Sequence, residues 1–380
     1  MPVASPASAK GPDTPQSSLL TVQYLRAIAA LMVAYFHTMI QIPAYTRYFR
    51  EYLLGSQALS SGVDIFFVIS GFIMLISNRN TRPGVFAVRR VIRIVPLYWV
   101  LTSLIACLTL LYPQFFHATV LSLEYFLKSL LFIPYANPGQ EQELVPLLVP
   151  GWSLNYEMFF YCIFALVLFA AQRWRLAITG GVFALLTFAG YEFRPADHRA
   201  IFFFTDIRIV EFWLGMLIAD LFLHGRLRFP PWLPWTILIA GFTALLWKRP
   251  MAGLTDAAPG QSLLANVLPS AAIVLGAVAL EQSKKVARIT ALAFLGDASY
   301  SIYLSHVFSL GVARLTWSKF GLEKDSLMRA AGFAVYSMVA VIIGSVLVYR
   351  LVEKPMLIFL QKMARRNKNS CSDSSLATGG

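Results

Sequence analysis

Long apolar runs recur along this chain, separated by shorter stretches where Arg, Lys, Pro and Gly concentrate. A hydrocarbon core about 30 Å thick takes roughly 20 predominantly apolar residues per helix. On that measure the pattern predicts ten spans, near 19–41, 58–77, 93–112, 152–171, 175–192, 200–223, 232–247, 262–281, 296–316 and 329–350. The fifth and seventh are short and rich in Gly, Pro or Trp. Residues 121–133 (LSLEYFLKSLLFI) are too short to cross and carry Glu124 and Lys128, which predicts an amphipathic helix at the interface. The expected fold is all-α, a polytopic integral membrane protein of about ten transmembrane helices. The first 18 residues are Pro/Ser/Ala-rich and expected to be disordered. They are not read as a signal peptide, because the apolar run that follows is too long and lacks a small-residue cleavage site. Residues 19–362 form the expected membrane domain, and 363–380, basic then polar, an expected disordered tail.

Composition narrows the class. Hydrophobic residues make up 57% and charged ones 13%, against about 25% charged in soluble domains. That shortage excludes a disordered protein, a coiled coil and an ordinary soluble enzyme. The net charge of +13 raises nucleic acid as a partner until the charges are placed. With the N-terminus inside, cytoplasmic segments hold 19 of the 32 Lys and Arg and external segments 11, while Arg26 and Arg208 lie within spans. This bias puts both termini in the cytoplasm and makes the basic charge a feature of topology, with no nucleic-acid partner. Cys107, Cys162 and Cys371 are far apart and form no paired motif, so neither a disulfide framework nor a metal site is expected.

An ionisable group inside a span costs several kcal/mol by most scales and is a functional candidate by default. Arg26 and His37 lie eleven residues apart on the first span, about 16 Å along the axis and within roughly 20° on one face. An anion-binding group below a titratable base, on one stripe, suits a pore entered by a phosphorylated cofactor. The bland alternative has Arg26 snorkelling and His37 bonded to a backbone carbonyl. Asp64 on the second span could orient His37, or cap its helix near the outer interface. Ser70 and Gly71 belong to an F-x-x-S-G stretch that packing alone could also explain. Arg89, Arg90 and Arg93, in a loop before Pro96 and Tyr98, could grip a nucleotide-type cofactor or simply mark the cytoplasmic side. On the fourth span, Glu157 is flanked by Ser153 at i−4 and Tyr161 at i+4, and could act as base, as a partner of His37 or as a sugar-hydroxyl acceptor. Trp152, Tyr156 and Tyr161 could stack on a pyranose or anchor at the interface. Asp206, Arg208 and Glu211 read as a structural cluster, with Arg208 pairing Glu211 at i+3. Asp297 is a plausible N-cap, and Ser299, Tyr303 and His306 share a face. His306 reads as either a second catalytic histidine or a packed, hydrogen-bonded one. Glu353 is expected to cap or pair at the inner surface.

Together these residues resemble the acyltransferase family 3 membrane enzymes. The resemblance spans about residues 20 to 360 and rests on six stretches in order. These are Arg26-x10-His37, F-x-x-S-G ending at Gly71, RR-x-x-R-x-x-P-x-Y through Tyr98, W-S-L-x-x-E-x-x-F-Y from Trp152 to Tyr161, S-Y-x-x-Y-L-x-H from Ser299 to His306, and E-K-P at Glu353. Within the family the chain looks most like the exopolysaccharide acetyltransferases. The resemblance implies a bacterial inner-membrane enzyme that moves an acetyl group from cytoplasmic acetyl-CoA, a co-substrate and not a resident cofactor, to a carbohydrate hydroxyl. Its implied partners are acyl-CoA, a polysaccharide or lipid-linked oligosaccharide acceptor, and membrane lipids. His37 would then be the base, with Asp64 or Glu157 holding it. Arg26, Arg89, Arg90 and Arg93 would bind the donor, while Ser70, Trp152, Tyr161, Tyr303 and His306 support. Two other readings compete: a proton-coupled transporter or flippase of a glycolipid or small anion, and a non-catalytic scaffold. Transporters usually carry a repeat with matched broken helices, and the chain shows none.

Overall fold

The computed structural model describes residues 19–42, 45, 56–115, 120–136, 138, 144–193, 203–247, 262–283, 286–323 and 325–364. The tails expected to be disordered lie outside these, except that Met363 and Ala364 continue the last helix. Cys371 also lies outside, and Cys107 and Cys162 are unpaired and exposed. Among the described residues the chain is helical, with no strand. Its helices are α1 (Leu20–Met39), α2 (Gly62–Ser77), α3 (Pro83–Leu111), α4 (Leu123–Leu130), α5 (Trp152–Val167), α6 (Gln172–Glu192), α7 (Ile209–Leu223), α8 (Leu233–Leu246), α9 (Leu268–Gln282), α10 (Thr290–Asp297), α11 (Ser299–Lys319) and α12 (Leu327–Val348). Every predicted span is occupied by a helix. Six stretches are long and apolar enough to cross a membrane: Leu20–Met39, Ala58–Ser77, Pro83–Leu111, Gln172–Glu192, Leu263–Gln282 and Leu327–Ala364. The chain is a polytopic membrane protein.

Helices meet where side chains are absent. A Cβ on Gly71 of α2 would lie 1.8 Å from the carbonyl oxygen of Phe212, and one on Gly215 of α7 would lie 2.0 Å from that of Val68. The two backbones therefore touch, which is how small residues hold helices together where the hydrophobic effect is weak. Ends are closed by distant groups. Leu19 offers α1 no side-chain cap, and the Thr21 N–H donates instead to the Glu281 carboxylate at 2.8 Å. Arg175, counted as a topological charge, is buried and donates to the carbonyls of Leu168, Ala170, Asn78 and Arg79, tying α2 to the end of α5.

Three boundaries differ from expectation, each for a local reason. α3 starts at Pro83, a residue suited to a first helical turn, and runs on through Pro96. Arg89, Arg90 and Arg93 therefore sit on a helix and not in a loop, because hydropathy marks where lipid ends, not where the helix ends. The ninth span is broken between Asp297 and Ser299. Asp297 ends α10 rather than capping α11, and its carboxylate accepts from Gln23 of α1 at 2.9 Å. α12 does not stop near 350; a wide turn over Tyr349–Glu353 carries it onward. The short helix predicted in 121–133 is α4. It buries Tyr125 and Ser129 and exposes Leu123, Leu127 and Leu131. Lys128, 2.6 Å from Glu124, holds that carboxyl below its ordinary range.

Candidate active site

The side chains of α1, α2, α3, α5 and α11 enclose a cavity of about 140 Å³. Arg26 enters from α1, and among the described residues its guanidinium makes no hydrogen bond or ion pair. From α3 come Arg90 and Arg93, one turn apart on one face, while Arg89, a third of a turn away, is exposed and outside the cavity. Arg93 is neutralised: its Nη1 lies 2.6 Å from Glu353 Oε1, and Ser301 donates to the other oxygen at 2.5 Å. The Tyr300 ring lies 5.5 Å below the Arg93 guanidinium. Glu353 is 1% exposed, so its expected pairing is found, but in the interior of the protein.

On the opposite wall Ser70 donates to Glu157 Oε1 at 2.9 Å, and the Tyr161 hydroxyl donates to the same oxygen. The F-x-x-S-G stretch thus divides its work. Gly71 packs against α7, and Ser70, one position away and so on another face of α2, turns into the cavity. Three arginines against Glu157 and Glu353 leave one formal positive charge. Among the described residues Ser299 Oγ and Arg90 Nε are buried and have no hydrogen-bond partner, and both residues line the cavity. A buried donor without a partner costs free energy that an acceptor in the cavity would recover. The arrangement suits an anion.

His37 does not line this cavity. Its Nδ1 lies 2.9 Å from the Val33 carbonyl oxygen and 3.2 Å from Nε2 of His306, with ring centroids 4.8 Å apart. His306 is fully buried, and its own Nδ1 lies 2.7 Å from the Tyr303 carbonyl oxygen. The side chain between the two regions is Tyr303, which lines the cavity while its ring centroid sits 6.3 Å from that of His306. Its hydroxyl is latched, donating to the Pro150 carbonyl at 2.9 Å and sharing a 2.7 Å hydrogen bond with Ser153. The expectation that Arg26 and His37 line one open channel is therefore corrected: they occupy neighbouring compartments with Tyr303 between.

Two further expectations change. Neither Asp64 nor Glu157 holds His37; its polar partners are Val33 and His306. Asp64 Oδ1 instead faces Arg208 Nε at 3.7 Å, and Asp206 Oδ2 lies 3.5 Å from Arg208 Nη1. The i,i+3 pairing of Arg208 with Glu211 is not found among the described residues: the Arg208 nitrogens face Asp64 and Asp206 instead. Glu211 is fully buried with Asp64, Arg208 and Asp206 as its electrostatic neighbours. Trp152 packs edge-on against Phe67 and Tyr156, and its face receives Arg208 at 5.7 Å. Tyr156 stacks on Phe203 with centroids 3.9 Å apart. Among the described residues, Tyr156 is thus stacked on protein and one face of Trp152 is taken by Arg208. Sequence reasoning missed Ser301, whose signal would have been only its place inside the S-Y-x-x-Y stretch, at the first x. No group of three or more His, Cys, Asp or Glu able to hold a metal occurs among the described residues.

Comparison with known proteins identifies the family. The model of the acyltransferase domain family matches residues 19–350, most of the chain. The exopolysaccharide production protein ExoZ of Rhizobium meliloti (strain 1021) is 37% identical over 302 residues, covering 78% of this chain and 89% of that protein. BcsY of Komagataeibacter xylinus, by name a membrane-bound transacylase, is 27% identical over 64% of each chain. The acyltransferase MdmB of Streptomyces mycarofaciens is 25% identical over 87% of this chain and 89% of its own. No solved structure matches. Extending over α1 to α12 and therefore over the whole arginine-lined cavity, the match establishes that the chain belongs to acyltransferase family 3 and is a membrane O-acyltransferase.

Proposed function

We propose that this protein transfers an acetyl group from cytoplasmic acetyl-CoA to a hydroxyl of a bacterial exopolysaccharide or its lipid-linked precursor. It works in the inner membrane with ten transmembrane helices and both termini in the cytoplasm. The observation that carries this reading is the unpaired Arg26 guanidinium in a cavity of net positive charge, read beside the likeness to ExoZ. Arg26 and Arg90 hold phosphate oxygens of the donor, and Arg93, already paired with Glu353, adds field rather than a free fork. Glu157 fixes the Ser70 and Tyr161 hydroxyls and keeps the three guanidiniums from repelling one another.

His37 is the general base. It takes the proton of the acceptor hydroxyl, whose oxygen attacks the thioester carbonyl. The C–S bond breaks, and the departing thiolate recovers the proton. General-base help of this kind is worth about 10²- to 10⁴-fold, and holding donor and acceptor together supplies much of the remainder. The reaction requires Tyr303 to leave its latch so that the donor's acyl end meets His37. Asp64 has no place in this scheme beyond fixing Arg208.

The test uses the full chain purified in detergent with radiolabelled acetyl-CoA and a lipid-linked oligosaccharide acceptor. The label is expected on the oligosaccharide. Wild-type protein that neither transfers nor hydrolyses the label, with or without acceptor, overturns the reading.

A further inference from the structure

The pairing of His37 with His306 has a consequence for which nitrogen of His37 can act. His37 Nδ1 faces the Val33 carbonyl oxygen at 2.9 Å. A carbonyl only accepts, so Nδ1 carries the hydrogen. The same reasoning applies to His306, whose Nδ1 faces the carbonyls of Tyr303 at 2.7 Å and Ile302 at 3.3 Å. In its neutral form His306 therefore presents a bare Nε2, and that lone pair lies 3.2 Å from His37 Nδ1. A proton on His306 Nε2 would set two N–H groups against each other. The carbonyls thus set both tautomers, and in that setting the His37 Nδ1–H is shared between the Val33 carbonyl and the bare Nε2 of His306.

We propose that His306 is a positioning residue that accepts a hydrogen bond from His37 Nδ1–H and so keeps Nε2 of His37 as the bare, proton-accepting nitrogen. The proposal rests on the reading of His37 as general base. Among the described residues nothing bonds His37 Nε2, so that nitrogen is available to an acceptor hydroxyl. When Nε2 takes the proton, the bond to His306 becomes charge-assisted. No carboxylate bonds either imidazole among the described residues. His306 is fully buried, and Ile302 and Leu310, one turn to either side of it on α11, belong to an apolar cluster with Ala30, Ala34 and Val341; a second permanent charge there would be costly. A neutral acceptor steadies the transient imidazolium without that cost.

Steady-state kinetics on the full chain in detergent separate this role from plain packing. His306→Leu, close in size but without an acceptor, is expected to lower kcat about 10- to 100-fold, the range spanned by one hydrogen bond to a charged group. The KM for acetyl-CoA should stay within about twofold, since His306 is outside the donor cavity. His306→Gln, whose amide oxygen can accept in the same place, is expected to restore most of kcat. Equal losses in the two variants, or a leucine variant with unchanged kcat, overturn the proposal. Should neither variant fold, the wild-type protein still decides. In a ¹⁵N spectrum of histidine-labelled protein, the signals lost in His37→Ala should report a protonated Nδ1 and a bare Nε2, and the opposite tautomer overturns it. This spectrum does not depend on turnover, so a failed transfer assay and a failed histidine assignment are told apart.

Discussion

Arg26 and Arg208 are both arginines inside apolar segments, yet the two regions around them are opposites. Arg208 is closed on every side. Asp64 and Asp206 face its nitrogens at 3.7 and 3.5 Å, Trp152 covers its plane, and Asp206 Oδ1 also takes the Arg208 backbone N–H at 2.9 Å. Arg26 stands in a cavity beside Ser70 and Glu157 and bonds to neither among the described residues. Both positions carry the same cost of placing a cation in an apolar medium. The difference lies in whether the protein itself completes the pairing. A completed set of partners makes a charge structural; an incomplete one, with empty space beside it, leaves a place for a ligand.

The comparison breaks most visibly under substitution of the closed arginine. Arg208→Ala leaves Asp64 and Asp206 without their common cation, and breaking a buried pair in this way costs about 3–5 kcal/mol. A thermal melt of the detergent-solubilised protein should show a large drop in Tm, and Asp64→Asn added to it should recover part of the loss. An unchanged melt would mean that the cluster is not structural. Arg26→Ala should do the reverse. Its Tm should hold or rise, because no partner is abandoned, while the KM for acetyl-CoA rises about 10- to 100-fold through loss of a charge-assisted contact. An unchanged KM would remove Arg26 from donor binding.

The same contrast shows what a sequence can and cannot disclose. Helices were legible at all ten predicted spans because apolar runs of that length have few other solutions in lipid. The Glu157–Tyr161 contact was legible because i and i+4 are neighbours on any helix. At the F-x-x-S-G stretch the packing alternative holds for Gly71, which meets α7, while Ser70 turns into the cavity. What stayed hidden depends on which helices adjoin. His37 and His306 are 269 positions apart, and Asp64 on α2 and Arg208 just ahead of α7 are likewise distant in the sequence. Similar depth made Asp64 the natural partner for His37, but depth says nothing about azimuth, and the close approach of Gly71 to Phe212 and of Gly215 to Val68 brings α2 against α7 and so Asp64 toward Arg208. The helical setting of Arg89, Arg90 and Arg93 was hidden for a different reason: charge ends an apolar run without ending a helix.

The smallest expected effect falls on the boundary between the cavity and the histidines. Tyr303→Phe removes one hydroxyl and keeps the ring that packs 5.8 Å from Phe66. The Ser153 hydroxyl can turn its proton to the Pro150 carbonyl, 3.2 Å away, so no buried group is stranded. The loss should therefore be about 1 kcal/mol, a shift in Tm of a few degrees at most. Function responds to the same energy with a different sign. If the latch holds the cavity shut toward His37, weakening it by about 1 kcal/mol raises the population of the open state up to roughly fivefold, and kcat/KM for acetyl-CoA rises by that factor. A fall to the level of His37→Ala would carry the opposite meaning. The phenol would then take part in the chemistry itself, and the two compartments would be one site drawn in its resting state.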